Sequence, residues 1–250
     1  LMKEWITGRN PVIEVLLANR REVFRLQLAK GVEEKGRIAE LIRQAKSRNI
    51  LIERVPREHI DRLAENHQGV AIEVSGYPYM DLADILDLAT SRGEDLFVLV
   101  LDVLQNPQNL GTLLRTAEAA GVHGIVIALH RAAEITPAVV TASAGASEHL
   151  LITQGNITRI LQQLKQTGVW VIGLDEERGN PSLDQLSLTG PLALVVGNEG
   201  EGIRPLVRRN CDFLVSLPMR GRIESLNAAV AGSIVLYQVL MSRQKENAAS

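Results

Sequence analysis

The pattern of hydrophobic and polar positions changes its period several times along the chain. Between residues 11 and 74, short runs with strand-type patterning (VFRLQLA, ILIERV and GVAIEV) alternate with polar stretches of helical spacing such as EEKGRIAELIRQAKSRN. From residue 96 onward, strands are predicted at LFVLVLD, GIVIAL, VWVIGLD, LALVVG and DFLVSLP, with helical stretches between them. Runs this rich in Val, Ile and Leu are typical of parallel strands in a sheet that is covered on both faces.

The connections between these runs predict two domains. Residues 76–94 hold two glycines, one proline and several acids, which are typical of a connection, although Leu82–Ala89 has the pattern of a short helix. We therefore expect an α/β fold with a small α/β domain over 1–75, a linker over 76–94 and a parallel-sheet domain over 95–250. The last predicted helix, from Ser225 to about Arg243, is apolar or small nearly all round, which favours burial against its own sheet and a second subunit.

The amino-acid composition excludes several classes of protein for this chain. The 250 residues are 46% hydrophobic, and the single cysteine, Cys211, excludes an internal disulfide and a cysteine-based metal cluster. The cysteine usage also favours a cytoplasmic protein, and we expect no metal site. Glu14 interrupts the apolar stretch near the start, which argues against a signal peptide, and the longest apolar runs are too short for a membrane segment. The net charge is −2, but the first 76 residues hold 14 Lys/Arg against 11 Asp/Glu and the remainder 13 against 18. The basic excess fits either an ordinary solvated surface or a module that contacts RNA.

The segment after the first strand of the larger domain is NPQNLGTLLRTAEAAG. Ligands of parallel sheets bind beyond the carboxyl ends of the strands, so this segment is a candidate for function. Asn109 is placed to cap the helix, and Gly121 to close it. Arg115 falls outside the apolar stripe, and spacing alone favours a surface arginine paired with Glu118. The segment lacks the G-x-G-x-x-G pattern, which argues against a dinucleotide site.

A glycine-rich loop follows a later strand, LALVVG, and it carries carboxylates: Gly197, Glu199, Gly200, Glu201 and Gly202. Phosphate-binding loops attract anions through backbone N–H groups, and two glutamates would repel a phosphate. The loop suits a ligand that approaches the backbone closely and bears positive or neutral groups, such as an adenosine with a sulfonium. A tight turn into a helix that begins near Pro205 is the alternative.

The segment after the last strand, MRGRIESLNAAVAGSI, combines a basic loop with the start of the final helix. Arg220 and Arg222 flank Gly221, where they could hold RNA phosphates or lie in solvent. Ser225 is a plausible N-cap, with Asn227 in the first helical turn.

Three segments, NPQNLGTLLRTAEAAGVHGIVI, LVVGNEGEGI and LPMRGRIESLNAAVAGSI, resemble in order and spacing the signature segments of the SpoU (TrmH-type) RNA 2'-O-ribose methyltransferases of the SPOUT superfamily. ITGRNPVIEVLL and NHQGVAIEV resemble the substrate-binding domain of the RlmB-type 23S rRNA guanosine 2'-O-methyltransferases. The resemblance covers nearly the whole chain. Asn198 departs from it, because alanine is common at that position.

The resemblance implies a deep trefoil knot in the larger domain, a homodimer and S-adenosylmethionine as the cofactor. It places the cofactor, largely through backbone groups, at Val196, Gly197, Leu217, Met219 and Leu226. The matching active-site positions are Asn109, Arg115, Glu199, Ser225 and Asn227. RNA contacts are expected at Arg9, Arg220 and Arg222. An acidic glycine loop is consistent with a sulfonium ligand.

The implied activity is 2'-O-methylation of a guanosine ribose in 23S rRNA. Since a guanidinium has a pKa above about 12, we expect Arg115 to anchor the phosphate beside the target ribose instead of acting as the base. Ser225 and Asn227 would position Arg115, and Glu199 would hold Asn109 or backbone donors. A tRNA guanosine 2'-O-methyltransferase, a non-catalytic RNA-binding member of the same fold and a nucleotide-binding α/β protein of another kind are the alternatives.

Overall fold

A computed structural model describes residues 3–175, 183–198, 200–223 and 225–249. It divides into two compact units, Leu1–Pro78 with Glu134–His149 and Tyr79–Ala133 with Leu150–Ser250. The strands are β1 (Lys3–Thr7), β2 (Val23–Ala29), β3 (Leu51–Val55), β4 (Val70–Ser75), β5 (Phe97–Leu101), β6 (Gly124–Ala128), β7 (Leu151–Gly155), β8 (Trp170–Leu174), β9 (Leu192–Val196) and β10 (Phe213–Val215). The α-helices are α1 (Arg9–Ala18), α2 (Arg37–Ser47), α3 (Arg57–Asp61), α4 (Leu82–Arg92), α5 (Pro107–Ala119), α6 (Pro137–Ala142), α7 (Ile157–Gln166), α8 (Pro205–Arg208) and α9 (Ala228–Ala249).

The first unit is built on a sheet in the order β1-β4-β2-β3. β2 and β3 are parallel, whereas β4 is antiparallel to both β1 and β2, so β1, β2 and β3 run in the same direction. Its buried side chains include Ile6, Leu26, Leu28 and Ile72, which alternate along the strands with more polar positions. The unit is thus the small α/β domain that the pattern predicts.

A buried ion pair holds the segment 134–149 to this unit. The Arg21 guanidinium donates to both carboxylate oxygens of Glu148, at 2.8 and 2.9 Å, and to Glu4 at 2.8 Å. Burial alone lowers the pKa of Arg21, but the two carboxylates outweigh burial and raise that pKa above its ordinary value. The Tyr77 hydroxyl donates to the Ser147 carbonyl at 2.9 Å.

The second unit has a sheet whose order is β10-β8-β9-β5-β6-β7. Each neighbouring pair of these strands is parallel. The central strands β5, β6 and β9 are buried at every position, as expected for a parallel sheet between layers of helices. The predicted α/β class with a parallel sheet is confirmed. The trefoil knot stays a prediction of the resemblance, since strand order does not define how a chain is threaded.

Two strands are absent from the prediction. β1 has the mixed sequence KEWIT with exposed and half-buried positions at its start. β7, LITQG, holds polar residues and follows a run of small residues. Both have five residues and lack the apolar run or clean alternation that marks a strand in sequence.

The domain boundaries also differ from the predicted ones. Most of the expected linker lies in the second unit, where α4 buries Ile85 and the Met80 N–H donates to the Ile152 carbonyl at 2.9 Å. Residues 134–149, expected in the larger domain, belong to the first unit. Local patterning shows neither assignment, because both depend on contacts between residues far apart in sequence. None of the helices in the described ranges combines the length and the apolar character that a membrane crossing requires.

Candidate functional site

A cavity of about 1030 Å³ lies at the carboxyl edge of the second unit's sheet. Its walls come from the residues that follow β8, β9 and β10 and from the segment that leads into α9. Ligands of open parallel sheets bind beyond the carboxyl ends of the strands, and this cavity lies beyond those of β8, β9 and β10.

The residues predicted to bind the cofactor meet in this cavity. Its lining includes Val196, Gly197, Leu217, Met219 and Leu226, which come from two separate segments of the chain, at the end of β9 and after β10. The lining also includes Arg222 and Ser225. The structure therefore brings the predicted positions together, and their role in binding stays a prediction.

The glycine loop after β9 is a closed turn. Asn198 and Gly202 exchange two backbone hydrogen bonds of 3.0 Å each, and the Gly200 N–H donates to the Asn198 side chain at 2.8 Å. A Cβ on Gly197 would lie 2.2 Å from the Gly202 carbonyl carbon, so only glycine fits there. Gly202 has a φ of 66°, in the left-handed region that favours glycine. The close approach of backbone atoms that the structure shows is between the two arms of the loop, and the close approach of a ligand stays a prediction.

Asp102 fixes this loop to β5. Its carboxylate is fully buried and accepts hydrogen bonds from the Arg204 backbone N–H and Nε, both at 2.8 Å. The other guanidinium nitrogen of Arg204 lies 2.6 Å from the same carboxylate. A buried carboxylate is costly unless it is paired, and Arg204 supplies that pairing. Sequence reasoning missed Asp102, although a lone acid at the end of the apolar run LFVLVLD was the available signal.

A second link joins the loop to the residue after Asp102. The Asn198 side chain donates to the Val103 carbonyl at 3.0 Å. Val103 has a φ of 62°, which is strained for a β-branched residue. Asn198, the departure from the family pattern, therefore stabilises a strained turn beside the cavity.

Charged side chains of both signs line the cavity. Asp175 follows β8 and pairs with the Arg208 Nε at 3.0 Å, whereas Glu201 and Arg222 are exposed. Glu199, predicted to act in catalysis, lies outside the described residues. Asp175 and Arg208 were also missed from sequence, since an acid after a strand has many structural uses.

Asn109 and Asn227 are joined beside α5 and α9. The Asn227 Nδ2 donates to the Asn109 Oδ1 at 3.1 Å, while the Asn227 Oδ1 accepts from the backbone N–H groups of Ala229 and Val230. Asn227, and not Ser225, therefore caps α9, and the predicted helix start at Ser225 is wrong by three residues.

The predicted cap of α5 is also wrong. Asn106 is the N-cap and accepts from the Gln108 N–H at 2.8 Å, with Pro107 as the first helical residue. Asn109 is thereby free of the capping role and directs its side chain toward Asn227. Proline at the first helical position stabilises this start, because it needs no hydrogen-bond acceptor.

Arg115 lies on α5 and is exposed. Six residues separate it from Asn109, which on a helix means about 9 Å along the axis and a different face. It is not among the residues that line the cavity, and within the described ranges it forms no ion pair with Glu118. α5 packs on α9, where the Thr116 and Ser233 hydroxyls lie 3.0 Å apart. One copy of the chain therefore does not bring Arg115 to the predicted cofactor residues.

The part of the chain that the structure describes holds no group of three or more His, Cys, Asp or Glu side chains placed to bind a metal ion. Burial raises the pKa of the Cys211 thiol to about 12, so this thiol stays protonated at neutral pH.

Comparison with known proteins identifies the family. The family model described as the SpoU rRNA Methylase family matches residues 96–237, more than half of the chain. The chain belongs to the SpoU rRNA methylase family. A second model, for RNA 2'-O ribose methyltransferase substrate binding, matches residues 5–80 of this family member.

Relatives of this SpoU family member align along nearly its whole length. A putative TrmH family tRNA/rRNA methyltransferase, YacO, of Bacillus subtilis is 40% identical over 96% of each chain. An uncharacterized tRNA/rRNA methyltransferase of Mycobacterium leprae is 41% identical over 96% of this chain and 78% of its own. The SpoU methyltransferase AviRb of Streptomyces viridochromogenes, solved in complex with the cofactor AdoMet, superposes with a TM-score of 0.81 at 25% identity over 97% of this chain and 91% of its own.

Proposed function

We propose that this chain transfers the methyl group of S-adenosylmethionine to the 2'-hydroxyl of a guanosine ribose in 23S rRNA, in the cytoplasm. The observation that carries the proposal is the cavity beside the glycine loop, which gathers the five predicted cofactor residues from two chain segments. Membership of the SpoU family and the AdoMet complex of AviRb support the same activity.

The residues of the cavity fit such a cofactor. Leu174, Ile203 and Leu217 give it apolar walls for an adenine ring, and the Gly197 backbone carries no side chain between it and the cavity. Two carboxylates, of Asp175 and Glu201, and two guanidinium groups, of Arg208 and Arg222, line it, which suits a ligand that bears both positive and negative groups. When bound, the cofactor supplies a methyl group on a positively charged sulfur.

The polar residues around the cavity would hold the RNA. Asn227 caps α9 and binds Asn109, so these two side chains keep α5 and α9 in register. We propose that Arg115 binds the phosphate beside the target ribose, because a guanidinium donates paired hydrogen bonds to phosphate oxygens and is a poor base. The proton of the 2'-hydroxyl then passes to that phosphate or to water. Ser225, Arg220 and Arg222 lie on the exposed segment that borders the cavity.

A homodimer through the second unit is part of the proposal. α9 exposes four large apolar side chains at helical spacing: Val230 (47% exposed), Ile234 (38%), Tyr237 (47%) and Met241 (51%). A continuous apolar stripe of this kind is typical of an interface. A second subunit would also be needed to complete the site if Arg115 acts there, since one copy leaves Arg115 outside the cavity. Light scattering at micromolar concentration should give twice the chain mass, and a monomer would contradict the dimer.

The choice of rRNA depends on the first unit. Its match to a substrate-binding model is the arrangement expected of RlmB-type enzymes, whereas the relatives' names give both tRNA and rRNA. A tRNA guanosine 2'-O-methyltransferase is therefore the second candidate function.

Transfer of labelled methyl groups to two unmodified transcripts, domain V of 23S rRNA and a tRNA, separates these functions. Label on the ribosomal transcript that disappears with Arg115→Ala supports the proposal, and label on tRNA alone supports the second candidate. Arg115→Lys should retain measurable activity, because it keeps the charge that anchors the phosphate. Cofactor binding without transfer to either transcript would indicate a non-catalytic RNA-binding member.

A further inference from the structure

The carboxyl edge of the first unit's sheet carries a repeated arrangement. β1, β2 and β3 run in the same direction, and the connection after each leads into a helix at the same edge. Each of these helices begins with an arginine: Arg9 in α1, Arg37 in α2 and Arg57 in α3. β2 lies beside β3, and only β4 separates β1 from β2, so the three guanidinium groups come from far apart in sequence to one place.

A cavity of about 500 Å³ lies between these arginines. Its lining consists of Arg9, Asn10, Val32, Arg37, Arg57 and Gln68. These described residues include neither a carboxylate nor an aromatic ring. The lining is therefore basic and rich in hydrogen-bond donors, and it has no surface on which a nucleobase would stack.

The three arginines differ in how firmly they are held. The Arg9 backbone N–H and Nε donate to Gln68, at 3.0 and 3.4 Å, so this arginine is oriented. Arg37 pairs with Glu40 at 3.3 Å and Arg57 with Asp61 at 3.9 Å, both across one turn of their own helix. Exposed pairs of this kind contribute little, so the two guanidinium groups can exchange them for a stronger anion.

We infer that this arginine pocket binds a phosphodiester group of the RNA backbone, an inference that rests on the proposed function. The planar N–H donors of a guanidinium match the oxygens of a phosphate. Three guanidinium groups around one concavity therefore favour a phosphate over a base edge. α1 and α2 start without a side-chain cap, so their helix dipoles add positive potential in the same place. The pocket thus positions the RNA and does not read its sequence.

Titration of fluorescein-labelled transcripts tests the inference. The full chain is titrated against domain V of 23S rRNA and against a tRNA, between about 50 and 200 mM KCl, with anisotropy as the readout. Arg37→Gln and Arg57→Gln should each weaken binding of both transcripts about five- to tenfold at ~0.1 M salt and reduce the salt slope by about one. The double variant should reduce the slope by about two.

Arg43→Gln is the matched control. Arg43 lies on α2 and pairs with the same Glu40, at 3.9 Å, but does not line the pocket. It should bind both transcripts as the unchanged chain does. Equal affinity and slope for the double variant, or an equal loss with Arg43→Gln, would overturn the inference, and so would no binding of either transcript by the unchanged chain at the lowest salt.

The methyl-transfer assay distinguishes a failure of the arginine pocket from a failure of the proposed function. Transfer to the ribosomal transcript with no dependence of binding on Arg37 and Arg57 overturns the pocket and leaves the activity. Pocket-dependent binding without transfer to either transcript overturns the activity and leaves the pocket. Calorimetry of S-adenosylmethionine binding should give the same affinity for the pocket variants and the unchanged chain.

Discussion

The carboxyl edges of the two sheets invite comparison, because in each of them several strands of one direction end beside a cavity. In the second unit that edge carries glycines, an acidic loop and a buried carboxylate, Asp102. In the first unit it carries Arg9, Arg37 and Arg57. Shared strand direction explains where each cavity lies, and the side chains at the strand ends decide which charge it accepts. We propose that one construction serves S-adenosylmethionine in one unit and the RNA backbone in the other.

Replacement of Gly197 should produce the largest difference between ligand binding at the two edges. A Cβ there would lie 2.2 Å from Gly202, so Gly197→Ala must displace the loop. We expect S-adenosylmethionine affinity to fall about 100-fold or more, with RNA binding at the other edge retained. Calorimetry for the cofactor and anisotropy for the RNA measure the two effects. Gly190→Ala, where nothing lies within 4 Å of an added Cβ, is the control and should leave both unchanged.

Removal of the buried Asp102 carboxylate should have the next largest effect. Asp102→Ala leaves the Arg204 N–H groups without their acceptor, and the free energy of unfolding should fall by about 3 kcal/mol. Urea unfolding measures this fall, and calorimetry should show weaker cofactor binding because the loop loses its attachment to β5. Asp87→Asn, at an exposed position of α4, should change neither quantity. Unchanged cofactor affinity in Asp102→Ala would show that Asp102 does not position the loop.

The salt concentration should affect ligand binding at the two edges differently, without any substitution. Raising KCl from about 50 to 200 mM should weaken RNA binding at least ~10-fold, because each phosphate contact releases counterions. S-adenosylmethionine affinity should change less than about twofold, since its charges are few. Anisotropy and calorimetry over the same salt series give both slopes. Similar slopes for the two ligands would contradict the division of charge between the edges.

The smallest expected effect lies at the opposite end of the second sheet. His123 is buried, accepts from the Phe97 N–H at 3.0 Å and lies 3.0 Å from Glu94, and burial lowers its pKa despite that carboxylate. The folded state therefore favours neutral His123, so its contribution to stability is complete above the unfolded pKa of about 6.5 and decreases as the pH falls below it.

Urea unfolding at pH 7.5 and 5.5 tests this sign. The free energy of unfolding should be lower at pH 5.5, and the decrease should be smaller in His123→Gln. His130→Gln, at an exposed position, should keep the full decrease. A decrease of the same size in His123→Gln would show that other groups cause it.

Much of the second unit could be predicted because its information is local. The apolar runs mark buried parallel strands, and the residues after β9 and β10 are expected at one edge for that reason. The predicted cap of α5 and the predicted start of α9 were each wrong by three residues, because several Asn and Ser side chains near each start could act as the cap. Asp102 was missed because its partner, Arg204, lies 102 residues away and no local pattern joins them.

The place of residues 134–149 in the first unit affects how that unit folds while the chain is being made. The Arg21 guanidinium has no exposed surface and is paired with Glu148, which is made 127 residues later. When the first 78 residues have emerged from the ribosome, this guanidinium has Glu4 but still lacks the two oxygens of Glu148, so burying it at that stage is costly. We therefore expect the amino-terminal unit to reach its final packing around Arg21 only after residues 134–149 have been made, against the usual order in which domains fold as they emerge.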